Sequence, residues 1–308
     1  RQGTATESDK EQLGKVTKAA KVNTGGATLF EELENILTNA KTRREIDLQI
    51  HSILEKIRFE VPVLSIVDCS GSMGGNYGGV KSKDGKQILP YKVAAFLATV
   101  SMLKNPSNEV DDLLLRFGSH CDIITDGTMG VKKANRFLQG SEVKISKLVD
   151  RAKSFSENFE NIQAVVNAGH GSTNLSTVPQ AFKKWIESDP DTRMYKIEQL
   201  QRYPVFMVIS DGDLNSNGNA ASSMMKFRRQ MLEYGWDGVV VVWDVSSGQP
   251  VPNKFANIPN TIHIMGWNLA IINQIFTKIN DLDIIDTFLP LKALYESNRY
   301  ELVKQNVI

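Results

Sequence analysis

The stretch Val61 to Gly75, VPVLSIVDCSGSMGG, decides the fold. Its apolar run, Val63 to Val67, delivers Asp68, Ser70 and Ser72 at alternate positions, with Gly71, Gly74 and Gly75 loosening the backbone around them. A short apolar run bounded by glycines reads as a strand buried on both faces. Such strands belong to parallel sheets covered by helices. In a chain leaving a strand, alternate residues point the same way, so one carboxylate and two hydroxyls are expected to converge on one point. All-oxygen donors suit a hard cation, Mg2+, Mn2+ or Ca2+, rather than zinc.

Outward from this strand, helical and apolar segments alternate. Leu89 to Leu103 reads as a helix with Tyr91, Ala94, Ala95, Ala98 and Met102 on one face. Asp111 to Phe117 and Cys121 to Thr125 read as a strand and its hairpin partner or an edge strand. One helix is expected within Lys144 to Phe159, and another from Leu175 to Ile186, started by Ser172 or Thr173. A second wholly apolar strand, Val205 to Ile209, ends in Ser210-Asp211-Gly212-Asp213. A helix from Ala221 to Tyr234 precedes strands at Val239 to Trp243 and Thr261 to Met265. Helices are expected at Leu269 to Ile279 and Leu289 to Lys304. Apolar strands alternating with helices predict a doubly wound α/β domain with a mostly parallel sheet of about six strands.

The expected organisation has four parts. Residues 1–27 are polar, rich in Lys, Thr and Gly, and unable to bury enough apolar surface to offset ordering entropy, which predicts a flexible arm. Residues 28–60 carry Leu33, Ile36, Ile46, Ile50, Ile53 and Leu54 at helical spacing, as one bent helix or two short ones. Residues 61–280 form the α/β domain, and residues 281–308 a C-terminal helical extension.

The totals narrow the function classes. A chain of 308 residues with 41% hydrophobic and 23% charged residues has ordinary globular composition. A net charge of +1 gives no global attraction to nucleic acid or to an anionic membrane. No run of about 18 apolar residues offers a membrane span. Two cysteines, Cys69 and Cys121, make no disulfide framework and read as reduced thiols, which points to an intracellular protein. The first residue is Arg1, as in a processed or trimmed chain.

Open α/β sheets bind ligands beyond the carboxyl ends of their strands. Three segments there offer oxygen ligands: Asp68-Cys69-Ser70-Gly71-Ser72, Gly171-Ser172-Thr173-Asn174 and Ser210-Asp211-Gly212. In this order, each on the matching element, they resemble the metal-ion-dependent adhesion site (MIDAS) of von Willebrand factor A (VWA) domains. That pattern is D-x-S-x-S, then a Thr about a hundred residues on, then an Asp at the end of a later strand. Asp68, Ser70 and Ser72 match the first part, Thr173 the second and Asp211 the third. The long basic loop after Ser72, residues 126–170 and both terminal segments depart from the pattern. The flanking segments look more like the intracellular and Ro ribonucleoprotein versions of this fold than like integrins.

The resemblance implies that Ser70, Ser72 and Thr173 contact Mg2+, or Mn2+ or Ca2+ in its place, while Asp68 and Asp211 act directly or through water. It implies a module of a multi-subunit assembly that binds an Asp or Glu carboxylate of a protein partner; no membrane is expected, and a role for nucleic acid stays open. The alternative is a scaffolding subunit, of a virion or ribonucleoprotein for example, whose metal site is vestigial or stabilising.

Other readings are weaker. Thr173 and Asp211 also suit helix caps, and His170 a hydrogen-bonded loop histidine. Asp213, Asn215, Asn217 and Gly218 begin an EF-hand pattern, but Met224 stands where its bidentate acid belongs. The lysines of loop 76–88 read as solvated. Gly79 to Gln87 lacks the glycine spacing of a phosphate loop, and Ser70 lacks the flanking glycines of a nucleophile elbow. No base or nucleophile accompanies the metal ligands, so an enzyme is not expected.

Overall fold

The computed structural model describes residues 42–55, 61–74, 87–106, 112–128, 145–167, 171–212, 219–245 and 257–265, with scattered positions between them. The expected arm, Lys83 and Lys86 of the 76–88 loop, His170, most of the EF-hand-like run and both helices after residue 265 lie outside the described residues; within that loop Val80–Lys81 pairs antiparallel with Gln87–Ile88.

Six strands form the central sheet: β1 (Val63–Asp68), β2 (Leu113–Phe117), β3 (Cys121–Thr125), β4 (Val205–Ser210), β5 (Val239–Asp244) and β6 (Thr261–Met265). Their order is β6-β5-β4-β1-β2-β3. Every neighbouring pair is parallel except β2 and β3, which form an antiparallel hairpin at one edge. β1, β4 and β5 are buried at all six positions, as expected of strands covered on both faces.

Helices cover the two faces. On one lie α1 (Arg43–Leu54), α2 (Pro90–Lys104) and α3 (Phe155–Val166), packed on Val67, Leu114, Ile209 and Trp243. On the other lie α4 (Thr177–Glu187), α5 (Arg193–Gln201) and α6 (Ala220–Leu232), packed on Ile66, Leu115, Val208 and Val242. Alternate strand residues thus feed alternate layers. Phe206 anchors the second layer, stacked on Trp236 at 3.8 Å between ring centres.

Several boundaries differ from the sequence reading, each for a local reason. Helix α3 starts at Phe155 because Ser154 and Glu157 form a capping box, the Ser154 hydroxyl accepting from the Glu157 amide and the Glu157 carboxylate from the Ser154 amide. A second capping box, Thr42 with Glu45, starts α1 afresh, which favours two short helices in the N-terminal segment. Helix α2 is buried nearly all round rather than along the expected face. It lies between β1 and α3, so its apolar residues need no single stripe. Helix α5 was not expected: its sequence, RMYKIEQLQ, buries only Gln199 and Leu200 and has little apolar periodicity.

Candidate metal site at the carboxyl end of the sheet

The site begins where β1 ends. Asp68 is its last residue and is fully buried. One carboxylate oxygen, Oδ1, accepts from the Ser70 amide at 2.8 Å; the other, Oδ2, accepts from the Ser210 hydroxyl at 2.7 Å. Both oxygens are thereby aimed, one by its own loop and one by the end of β4. Burial is the main force raising the Asp68 carboxyl, and the hydrogen bonds from Ser70 and Ser210 offset it only in part. The negative charge of Asp211 raises it further, to about 7 from an ordinary 3.8.

Ser70 and Ser72 stand with their hydroxyl oxygens 3.1 Å apart, Ser70 buried and Ser72 exposed. They meet for a reason other than strand alternation. The extended backbone stops at Asp68, whose carboxylate bends the chain back onto the Ser70 amide. A turn of 3₁₀ helix, Ser72–Gly74, then carries Ser72. Cys69, between Asp68 and Ser70, turns to the layer of α2 and α3. Its thiol donates to the Val166 carbonyl at 3.3 Å, and burial pushes its pKa up. It is a packed neutral thiol and not a metal donor.

Thr173 is buried at 4% exposure on a segment fastened at both ends. On one side the Gly71 amide donates to the Gly171 carbonyl at 2.8 Å, joining this segment to the first loop. On the other the Leu175 amide donates to the Leu214 carbonyl at 3.1 Å, joining it to the loop after β4. Gly171 has φ +77°, and a Cβ there would lie 3.0 Å from the Ser119 hydroxyl of the β2–β3 turn. Neither Ser172 nor Thr173 caps the following helix. Asn174 organises that start, its side-chain oxygen accepting from the amide and hydroxyl of Ser176.

Asp211 follows β4 directly and is half-buried, with one carboxylate oxygen sealed from solvent. It is not a helix cap either: α6 begins nine residues later, at Ala220, capped by the Asn219 side chain, which accepts from the Ala221 amide at 2.8 Å. The structure therefore brings the segments bearing Asp68, Ser70, Ser72, Thr173 and Asp211 together at one end of the sheet, stitched by backbone bonds. Every donor there is an oxygen, a set that fits a hard divalent cation.

Sequence reading missed two neighbours of the site. Asp244 ends β5 beside Ser210 and is buried at 3% exposure. Its signal was present, since an acid closes the apolar run VVVVW. Arg116, in mid-strand on β2, is also buried, paired with Asp122 on β3 at 2.8 Å and donating to the Val165 carbonyl. It clamps the hairpin edge to α3.

No protein-family model matches the chain, and no curated protein does. Solved structures do. The Ro protein (RSR) of Deinococcus radiodurans aligns over 90% of this chain and 49% of its own, at 12% identity and a TM-score of 0.50. A von Willebrand factor type A protein of Catenulispora acidiphila aligns over 72% of this chain and 46% of its own, at 10% identity and a TM-score of 0.35. Proximal thread matrix protein 1 of the mussel byssus, in a structure with a zinc-occupied MIDAS motif, aligns over 74% and 48%, at 13% identity and a TM-score of 0.36. The chain spans about half the length of these structures. Among the described residues no helix is long and apolar enough to cross a membrane. With helices on both faces of a six-stranded, mostly parallel sheet and one antiparallel edge, the chain has a doubly wound α/β fold, and it shares that fold with the Ro protein of Deinococcus radiodurans.

Proposed function

We propose that this chain is a divalent-metal-dependent protein-binding module. The carrying observation is Asp68, a fully buried carboxylate with both oxygens oriented and Asp211 close enough to oppose its ionisation. Burying a carboxylate beside another is costly unless a positive charge joins them. A cation bound by Ser70, Ser72 and Thr173, with Asp68 and Asp211 acting directly or through water, supplies that charge. Mg2+ is the expected ion, with Mn2+ and Ca2+ as substitutes. Mg2+ prefers six oxygens and keeps some of its water, so an outside carboxylate can take a water's place. The partner is accordingly a protein that offers Asp or Glu, within a larger assembly and inside the cell. No enzymatic turnover is assigned.

Two measurements test this. Isothermal titration with Mn2+ should show one site in the wild type and none in Asp68→Ala. A pull-down from the native source should release the partner when a chelator is added. Metal binding without chelator-sensitive capture would favour the scaffolding role, with a stabilising ion. Absence of metal binding in the wild type would overturn the metal-dependent reading and leave the scaffolding role with a vestigial site.

A further inference from the structure

A buried acid closes β5 where four valines and a tryptophan precede it. Period-two alternation puts Asp244 on the face of Val240 and Val242, the layer of α4 and α6. Ser210 pairs with Asp244 across the β4–β5 ladder and bonds Asp68 on its other side. One further ladder bond, from the Val245 amide to the Ser210 carbonyl at 2.8 Å, holds the backbone on the far side of Asp244. The Asp244 side chain is thus fixed at its root.

Its carboxylate sits on the turn that carries Asp211. Gly212 is buried, with φ +90°. A Cβ at Gly212 would meet Asp244 Oδ2 at 2.4 Å and Cγ at 3.0 Å. The carboxylate has closed onto the bare glycine backbone and fills the space any side chain there would need. Both the left-handed φ and this contact demand glycine. An apolar residue at 244 would be cheaper to bury, so the acid calls for a reason, and the turn beneath it supplies one.

We propose that Asp244 is a positioning residue of the metal site: seated against Gly212, its side chain fixes the turn after β4 and so sets where Asp211 presents its oxygens. Asp244 acts by shape, through its seat against Gly212, rather than by lending charge to the ion. This rests on the metal site proposed above.

The two ways of acting are separated by two variants read by Mn2+ titration. Asp244→Asn keeps the size and loses the charge. Asp244→Glu keeps the charge but adds a methylene against Gly212, which a packed site resists. Positioning predicts Mn2+ affinity within about threefold of wild type for Asp244→Asn and about tenfold weaker for Asp244→Glu, the usual range for groups that orient metal ligands. Both should keep the wild-type circular dichroism, and Asp244→Ala, if it folds, should weaken Mn2+ about as much as the Glu variant. Equal affinity in all variants, or tight binding by Asp244→Glu with weak binding by Asp244→Asn, overturns the inference and leaves the metal site standing. Failure of the wild type to bind Mn2+ at all removes the metal site and this inference with it.

Discussion

Strand β1 carries a buried polar side-chain partnership at each end, and the two are built differently. At its amino end, Asn105, just past α2, closes a reciprocal pair with Val63. The Val63 amide donates to Asn105 Oδ1 at 2.9 Å, and Asn105 Nδ2 donates to the Val63 carbonyl at 2.8 Å. A neutral amide supplies one donor and one acceptor, and the arrangement is complete in itself. At the carboxyl end, Asp68 offers only acceptors when ionised, beside a second acid. One end is closed by the protein alone; the other asks for something from outside. Buried neutral pairs of this kind hold a fold together, whereas a buried acid facing a second acid is the place that the proposed cation would fill.

The largest effect is expected at the self-sufficient end. Asn105→Ala leaves both the amide and the carbonyl of Val63 without the side chain that serves them, at a cost of about 2–5 kcal/mol. Urea unfolding should register that loss, and the folded fraction should still bind Mn2+ with wild-type affinity. A change in metal affinity without one in stability would erase the contrast between the two ends.

Asp68 should behave in the opposite way. Asp68→Asn should weaken Mn2+ binding by about 100-fold, roughly 2.7 kcal/mol. Its metal-free form at pH 8 should be at least as stable as wild type. The amide keeps an acceptor for the Ser70 N–H, and the Ser210 hydroxyl can accept where it formerly donated. Chelator-treated protein compared by thermal unfolding gives the stability, and titration the affinity.

The same residue predicts a pH dependence. The folded Asp68 carboxyl titrates near 7 and its ordinary value is 3.8. Between these values the folded chain holds a proton that the unfolded chain has lost, so stability falls as pH rises through that window. Below about 4 both forms are protonated and the term vanishes. Metal-free wild type should therefore lose on the order of 2 kcal/mol between pH 5 and pH 7.5 relative to Asp68→Asn. Added Mn2+ should narrow the difference at the higher pH. Parallel profiles for the two proteins would show that Asp68 does not titrate in this range.

How far the sequence alone led follows from what each residue depends on. The strands VLSIVD, VFMVIS and VVVVWD were legible because burial on both faces writes itself as apolar runs without polar alternation, broken here only by Ser65. Asp68 and Asp211 were legible as candidates because each ends such a run. The route by which Ser70 meets Ser72 was not, since it depends on the Asp68 carboxylate capturing an amide two residues on. Nor was the Gly71–Gly171 bond that ties Thr173 into place, because nothing local marks two backbones a hundred residues apart as neighbours. Helix α5 was hidden for a different reason: it is mostly exposed, and a helix with little to bury carries no apolar stripe.

The smallest expected effect sharpens the contrast from the structural side. The carboxyl terminus of α3 lies against the site, where Val165 and Val166 offer carbonyls to Arg116 and Cys69. Its amino terminus, capped by Ser154 and Glu157, is a full helix length away. Ser154→Ala removes one side of the capping box and should cost about 1 kcal/mol in urea unfolding. Because the helix stays packed through Phe155, Phe159 and Ile162, fraying of its first turn should not travel to Val166. Mn2+ affinity should thus match wild type. A loss of affinity here would mean that α3 transmits its end-to-end order into the metal loop, and that the two ends of the sheet are less independent than their chemistry suggests.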